Sequence, residues 1–553
     1  MTSKLSTLDQ ALAKAEQLAA SLTRPGAAPT DQLRMLETTE GLLQEVETHT
    51  AFETALATQD APLAKAAHNA LDRVARIRAT TCPALMALSK RPNFSSDPAL
   101  VPFEKWRDRV ARQTPKLLDG QASRHVVALQ SIEQGLKTAR TQCLGLGANG
   151  ETAPALKAHL TSPDAEVRSD AYQKLVVLLK ERRDLHATLF DSFLTCRIAQ
   201  AQALGFDKPE ERRHAQNNAN SASLEALSSA LASSQSQVTP RFYKDKATWM
   251  GQDQLDYWDR AAPLSSNTQN HIPFENARNL ILDAFDDVDP DYRDIAGQFF
   301  SKGWIDAFSR AGKTEGGFCL PGSPDTSPRI VLNYRGSVRC VLELAHELGH
   351  AIHYWYARGR GPLRAPTPFP IAETAAIFAE QIAFNALLDA EPNEKAKTRL
   401  QRRRRQDFIN TCYRQNALYQ FERAAYAQKA LGSLSADWLE GAFATHEGAL
   451  IGPDLLPQRD FGGLYFLVPH FFEYPFYMYA YPFGELTACL LADVQKADPG
   501  RFYQQFREMM ALGGDCHLSD MEALFGFDLT REATWQQALK ASPDAAQQEC
   551  KPV

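Results

Sequence analysis

The sequence predicts a mainly α-helical protein, on three observations. Long stretches carry apolar residues at three- and four-residue spacing among strong helix formers, interrupted by short turns rich in Gly and Pro. The best strand in the chain is one short segment, Arg329 to Tyr334, set among helical patterns. The run from Val341 to Ala351 is apolar on nearly every side, as a buried helix is.

In chain order, residues 1 to about 150 alternate helical patterns with breaks at Arg24-Pro25-Gly26, Arg91-Pro92-Asn93 and Gly145 to Gly150, the pattern of an antiparallel helical array. Ser162 at the N-cap and Pro163 at the first helical position predict one long helix running toward Gly205, where Gly205-Phe206-Asp207-Lys208-Pro209 supplies turn chemistry. We place a boundary near residue 160, between an N-terminal helical region (1–160) and a larger helical region (161–553). The strand from Arg329, partly β-branched and flanked by Pro328 and Gly336, is expected at a sheet edge. Gly316-Gly317 upstream reads as a turn or as a loop making a close backbone approach.

The buried helix stops at Gly359 and Gly361, an ordered Pro-rich loop follows as far as Pro370, and a second helix begins at Ile371. Its small residues let it pack closely on the first. The aromatic stretch from Phe461 to Phe483 is apolar enough to suggest a membrane span, but His470, Glu473, Pro469, Pro475 and Pro482 make a lipid-facing helix costly. It is expected as a buried wall.

With 553 residues, 44% hydrophobic and 23% charged, the chain has the composition of an ordinary globular protein, and a net charge of −6 argues against a general nucleic-acid binder. The first ten residues lack the apolar core of a signal peptide, so the cytoplasm is the expected compartment. Nine cysteines without a C-x-x-C pair read as free thiols. The basic run Arg402 to Arg405, with Arg399 before it, reads as a solvated helix face or, more sharply, as a docking surface for acidic peptide or another subunit.

The chemistry concentrates in His346-Glu347-Leu348-Gly349-His350. Two histidines four apart on a helix project from one face and can grip one Zn²⁺, with Glu347 placed as general base toward water. A third ligand must come from outside the motif. His353 is displaced from His346 by about 10 Å along the axis, and Ile352 and Tyr356 stand where the extended metzincin pattern needs Gly and His. Glu373, in the first turn of the second helix, is the favoured ligand. Glu380, two turns on, is the other candidate, with a plainer role as acceptor for a ligand histidine.

The segments Gly316 to Cys319, Ile330 to Tyr334, His346 to His353 and Ala372 to Ala375 resemble, in order and spacing, the oligoendopeptidase F branch of the thimet oligopeptidase family. Ser162 to Arg168 with Ala171-Tyr172 looks like the N-terminal half of that family, although the chain is somewhat shorter than its members are expected to be. The resemblance implies a large multi-helix zincin-type peptidase, with a small β-sheet beside the active site and a cleft between two helical halves. It implies Glu373 as the ligand that completes one Zn²⁺ site per chain. It also implies a His and a Tyr-rich segment facing the scissile bond, where imidazole and phenol donors meet a developing oxyanion. His470 and Tyr477 are the first choices, Tyr479 and Tyr474 stand behind them, and spacing alone does not choose among these and Tyr481. The expected activity is zinc-dependent endopeptidase action on short peptides, with no nucleic-acid or membrane partner, as a monomer or homodimer. The rivals are a dedicated processing peptidase and a non-catalytic, metal-containing peptide-binding protein.

Overall fold

Helices dominate a computed structural model that describes residues 2–22, 27–113, 120–145, 151–264, 271–323, 326–451 and 459–546. The N-terminal array begins with three helices, Thr2–Leu22, Pro29–Leu56 and Ala61–Ser89. Leu8, Leu12, Ala15 and Ala19 of the first pack on Leu43, Val46, Val74 and Ile77 of the other two. Asp60 caps the third by accepting from the Leu63 amide at 2.9 Å. That helix ends at the expected break, with Asn93 in the left-handed region at φ 60°. The predicted break at Arg24-Pro25-Gly26, and the one after Gly145, lie outside the described residues.

The long helix predicted from Ser162 is two helices, Ala165–Lys180 and Arg183–Leu204. Asp164 caps the first by accepting from the Glu166 amide at 2.9 Å, while Ser162 Oγ accepts from the Asp164 amide and shapes the turn before it. A carboxylate two residues nearer the helix thus takes the role expected of the serine. Gly205 ends the second helix at φ 92°.

The main core of buried apolar residues draws on the chain from Cys143 to Ala538, while Ala201, Leu204 and Phe206 pack with Met86 and Val126 in a smaller cluster. Among the described residues there is one three-stranded sheet: β1 (Ile305–Phe308), β2 (Phe318–Leu320) and β3 (Arg329–Tyr334), in the order β1-β3-β2. The predicted strand has the expected bounds but not the expected place. β3 is central, parallel to β1 and antiparallel to β2, so its main-chain groups are taken on both sides and β2 is the edge beside it.

The basic run is neither a solvated face nor a docking surface. Arg404 and Arg405 are buried, Arg404 against the Glu485 carboxylate and Arg405 against Asp544 (2.5 Å) and Asp245 (2.6 Å). Arg403 lies 3.6 Å from Asp407, and Arg402 lies over the Trp249 ring. Acidic residues distant in sequence draw the helix face inward, which a local charge count does not register.

The aromatic stretch is broken into short helices at Arg459–Leu467 and His470–Glu473 before the long helix Ala480–Ala497 starts. Phe466, Phe471, Phe472, Phe476 and Phe483 are buried in the main core. Among the described residues one helix, Phe369–Ala390, is long and apolar enough to cross a membrane, and 67% of its most apolar window is buried inside the fold.

Candidate active site

The motif lies on the helix Val338–Ala357, whose N-cap Ser337 accepts from the Cys340 amide at 3.3 Å. Val341, Leu344, Ala345, Leu348, Ala351 and Ile352 are fully buried, so the helix is held from several sides and only its polar stripe faces the site. Facing it is Phe369–Ala390, which starts two residues earlier than the sequence suggested, with Pro370 in its first turn. Glu373 therefore stands on the second turn rather than the first.

Small residues set how close these helices come. A β-carbon on Gly349 would fall 2.7 Å from Ala376 Cα and 2.9 Å from the Ala375 carbonyl oxygen. On the far side of Glu373, a β-carbon on Gly484 of the helix Ala480–Ala497 would fall 2.9 Å from Glu373 Cβ. Glu373 is thus wedged between two helices at a spacing only glycines permit.

The result is a convergent donor set. Among the described residues, His346, His350 and Glu373 form the one group of such side chains whose ligand atoms all lie within 4.8 Å of one another. His346 Nε2 is 3.6 Å, and His350 Nε2 4.0 Å, from the Glu373 carboxylate. Glu380 sits at the opposite ring nitrogen, Nδ1 of His346, at 3.2 Å. That is the position of an acceptor that fixes a ligand imidazole's orientation. Glu347 Oε2, Glu373 Oε2 and His350 Nδ1 are buried with no hydrogen-bond partner. Buried polar atoms ordinarily have partners, and two imidazoles with one carboxylate are a donor set that Zn²⁺ takes. The residues present fit a metal ion.

The electrostatics agree with that fit. Burial, reinforced by the nearby carboxylates Glu373, Glu343 and Glu380, outweighs the pull of His346 and raises the Glu347 carboxyl to about 7. Burial also raises Glu373. Burial opposes charge on His346, yet its hydrogen bond to Glu380 and the surrounding carboxylates prevail and raise it to about 10. Burial and the His346 charge hold His350 well below its usual value. Such crowding of carboxylates calls for positive charge at its centre. His353 is fully buried, with neither ring nitrogen hydrogen-bonded, and burial lowers it to about 3; it is not in the donor set.

Of the aromatic candidates, Tyr477 Oη donates to Glu373 Oε1 at 2.6 Å. Its ring stacks on His470 at 5.9 Å and meets Tyr481 edge-on at 5.0 Å. His470 Nε2 is 3.1 Å from Tyr481 Oη. Burial first, then Lys157 and Arg414, lower His470 to about 4, so it is neutral at physiological pH. Tyr474 is 51% exposed, at the edge of this aromatic group. Tyr479 is not brought to the cluster. Its hydroxyl accepts from Asn217 Nδ2 at 2.7 Å, and its ring packs on Tyr419 and His214 in the core. Tyr481, in the first turn of the helix Ala480–Ala497, lies in the cluster instead; Tyr477 precedes that helix, so no helical spacing in the chain relates the two. β2 packs beside the motif helix, and burial and then the Glu347 charge hold the Cys319 thiol well above its usual value.

The model of Peptidase family M3 matches residues 158–541. The chain is 22% identical over 294 residues to the Oligopeptidase PepF of Bacillus subtilis, covering 52% of this chain and 43% of that protein. It is 26% identical over 311 residues to an Oligoendopeptidase F homolog of Borreliella burgdorferi, covering 54% and 51%. The chain thus spans about half the length of these curated relatives. Among solved structures, oligoendopeptidase-F from Enterococcus faecium superposes with a TM-score of 0.72 at 15% identity, over 99% of this chain and 98% of the other. This last likeness is one of fold.

Proposed function

The chain belongs to peptidase family M3, and from that premise we propose that it is a zinc-dependent endopeptidase that hydrolyses internal bonds of short oligopeptides. The observation that carries the reading is the convergence of the half-buried His346 and His350 on the buried Glu373, whose Oε2 has no hydrogen-bond partner, with Glu347 beside them. Zn²⁺ held by those three residues supplies Lewis acidity, which polarises a carbonyl and brings the pKa of water toward 7. The Glu347 carboxylate takes a proton from the attacking water and delivers it to the leaving amine. Glu380 keeps His346 oriented through Nδ1.

Tyr477 and His470 donate to the oxygen on which negative charge develops, with Tyr481 holding the imidazole. To do so the Tyr477 phenol leaves Glu373 Oε1, which frees that oxygen as well. The open edge of β2 takes the role expected of β3, pairing with an extended peptide through main-chain hydrogen bonds that favour no particular side chain. Restriction to short peptides rests on the names of the relatives. The division near residue 160 stays part of this reading, the N-terminal helices forming a wall beside the region that carries the metal helices. The cytoplasm remains the proposed compartment.

Purified protein is incubated with a mixture of short peptides and one folded protein, with and without chelator, and the products are read by mass spectrometry. Internal cuts in many peptides, abolished by chelation, with the folded protein untouched, are expected. Cuts confined to one sequence point to a dedicated processing enzyme, and bound metal without any turnover defeats the proposal.

A further inference from the structure

Three non-glycine residues among those described have positive φ: Asn93, Asn218 and Phe476. Asparagine tolerates that region because its short polar side chain bonds locally, but a phenylalanine there has to be held. Phe476, at φ 57°, immediately precedes Tyr477. Two side chains hold it, the fully buried Glu422, whose carboxyl burial raises to about 8, and the half-buried Arg213. The Phe476 amide donates to both carboxylate oxygens of Glu422, each at 2.9 Å. Arg213 Nε donates to the Pro475 carbonyl at 2.9 Å. The Pro475 carbonyl and the Phe476 amide are the two ends of one peptide group, so a carboxyl group and a guanidinium grip a single peptide plane from both ends.

Glu422, on the helix Gln415–Lys429, is fully buried, and Arg213 comes from the distant helix Pro209–Gln216. The Phe476 ring is packed on Tyr426 at 4.6 Å. Arg213 also lies over the Phe369 ring at 5.9 Å, and Phe369 meets the Tyr477 ring edge-on at 5.0 Å. Phe369 opens the helix that bears Glu373. The same guanidinium therefore ties the segment carrying the phenol to the helix carrying the carboxylate that the phenol touches.

We propose that Glu422 and Arg213 are positioning residues, a clamp on the Pro475–Phe476 peptide group that aims the Tyr477 phenol at the metal centre. The inference rests on the peptidase reading above. Neither clamp residue is a ligand or proton carrier in that mechanism. Their effect passes through one backbone unit, and a structural role alone would give a different pattern of losses.

Turnover of a short fluorogenic peptide separates the two. For Glu422→Ala in the zinc-loaded enzyme, kcat is expected to fall by about tenfold or more with KM within about twofold. In a Tyr477→Phe background the same substitution should cost less than about twofold, because the group being aimed is already gone. Glu422→Gln keeps an acceptor for the amide and should recover most of the activity. Independently of turnover, hydrogen exchange in the metal-free protein should show the 474–481 segment deprotected in Glu422→Ala and protected in Glu422→Gln. If Glu422→Ala does not fold, Arg213→Gln releases the other end of the same peptide group and is put through the same pair of backgrounds. Equal losses in both backgrounds, or no loss in either, overturn the clamp. Tyr477→Phe with full activity overturns it too, since nothing is then being aimed. A wild-type protein that binds zinc and cleaves nothing overturns the peptidase reading instead, and the exchange of the Phe476 amide then decides whether the clamp orders the segment.

Discussion

The three helices around Glu373 and the three helices at the N-terminus are both antiparallel-looking helical patterns in sequence, yet they are built on opposite terms. Around Glu373 the backbones approach through Gly349, Ala375, Ala376, Ala379 and Gly484, and Glu347 and Glu485 on these helices are buried, Glu485 against Arg404 of the helix Glu394–Phe408. In the N-terminal array, apolar residues form small separate clusters, and charges meet near the surface, as where Arg73 bonds Asp9 and Glu16. The first region has no room to absorb a change. The second carries its charges at the surface. Chemistry sits where the packing admits one arrangement only.

The largest test of that contrast is Glu347→Gln. It should reduce turnover by about 10²–10⁴-fold, the usual contribution of a general base, while zinc content and thermal stability stay near wild type. Equal turnover would remove Glu347 from the mechanism. The pH profile gives the sign. The base acts ionised, its metal-free value is about 7, and a bound cation lowers it, so kcat/KM should rise with pH through an ionisation at or below about 7. A profile that falls over that range would speak against the assignment.

Next in size is a pair of arginines. Arg404→Ala leaves the Glu485 carboxylate buried and unpaired and should cost about 3–5 kcal/mol in denaturant unfolding. Arg73→Ala, whose partners Asp9 and Glu16 are largely in solvent, should cost about 1 kcal/mol or less. Similar losses for the two would erase the distinction between the regions.

Glycine-to-alanine substitutions should then differ in sign. Gly349→Ala forces the two metal-bearing helices apart, with an expected cost of about 1–3 kcal/mol and weaker zinc retention. Gly135, exposed within the helix Gly120–Gly145 and with open space around a would-be β-carbon, should gain about 0.5–1 kcal/mol as alanine. Melting temperatures of the two variants decide it. Tyr479→Phe strands Asn217 Nδ2 and should cost about 1–3 kcal/mol of stability while leaving kcat unchanged, the smallest expected effect on turnover. A fall in kcat comparable to that of Tyr477→Phe would return Tyr479 to the catalytic group.

Several of these contrasts are legible in the amino-acid sequence. The helical class, the strand from Arg329 to Tyr334, the buried motif helix and the neighbourhood of His346, His350, Glu373 and Glu380 all follow from patterns within a few turns of chain. The failures are just as specific. β3 reads as an edge because a strand's neighbours are not written in its own residues. The arginines from 402 to 405 read as solvated because Glu485, Asp544 and Asp245 lie elsewhere in the chain. Tyr479 reads as a companion of Tyr477 because short aromatic runs have no evident period.

What the sequence determined by itself was local: which stretches coil, where caps and glycines end them, and which donor types stand one helical turn apart. Periodicity and spacing are enough for that, because the geometry of a helix is the same in every protein. Only the tertiary structure decided which Tyr hydroxyl meets Glu373, which strands lie at the sheet edges, and that Glu422 and Arg213 seize the peptide before Tyr477. These are contacts between residues tens to hundreds of positions apart, chosen by the packing of the whole core, and no local rule of the chain contains them.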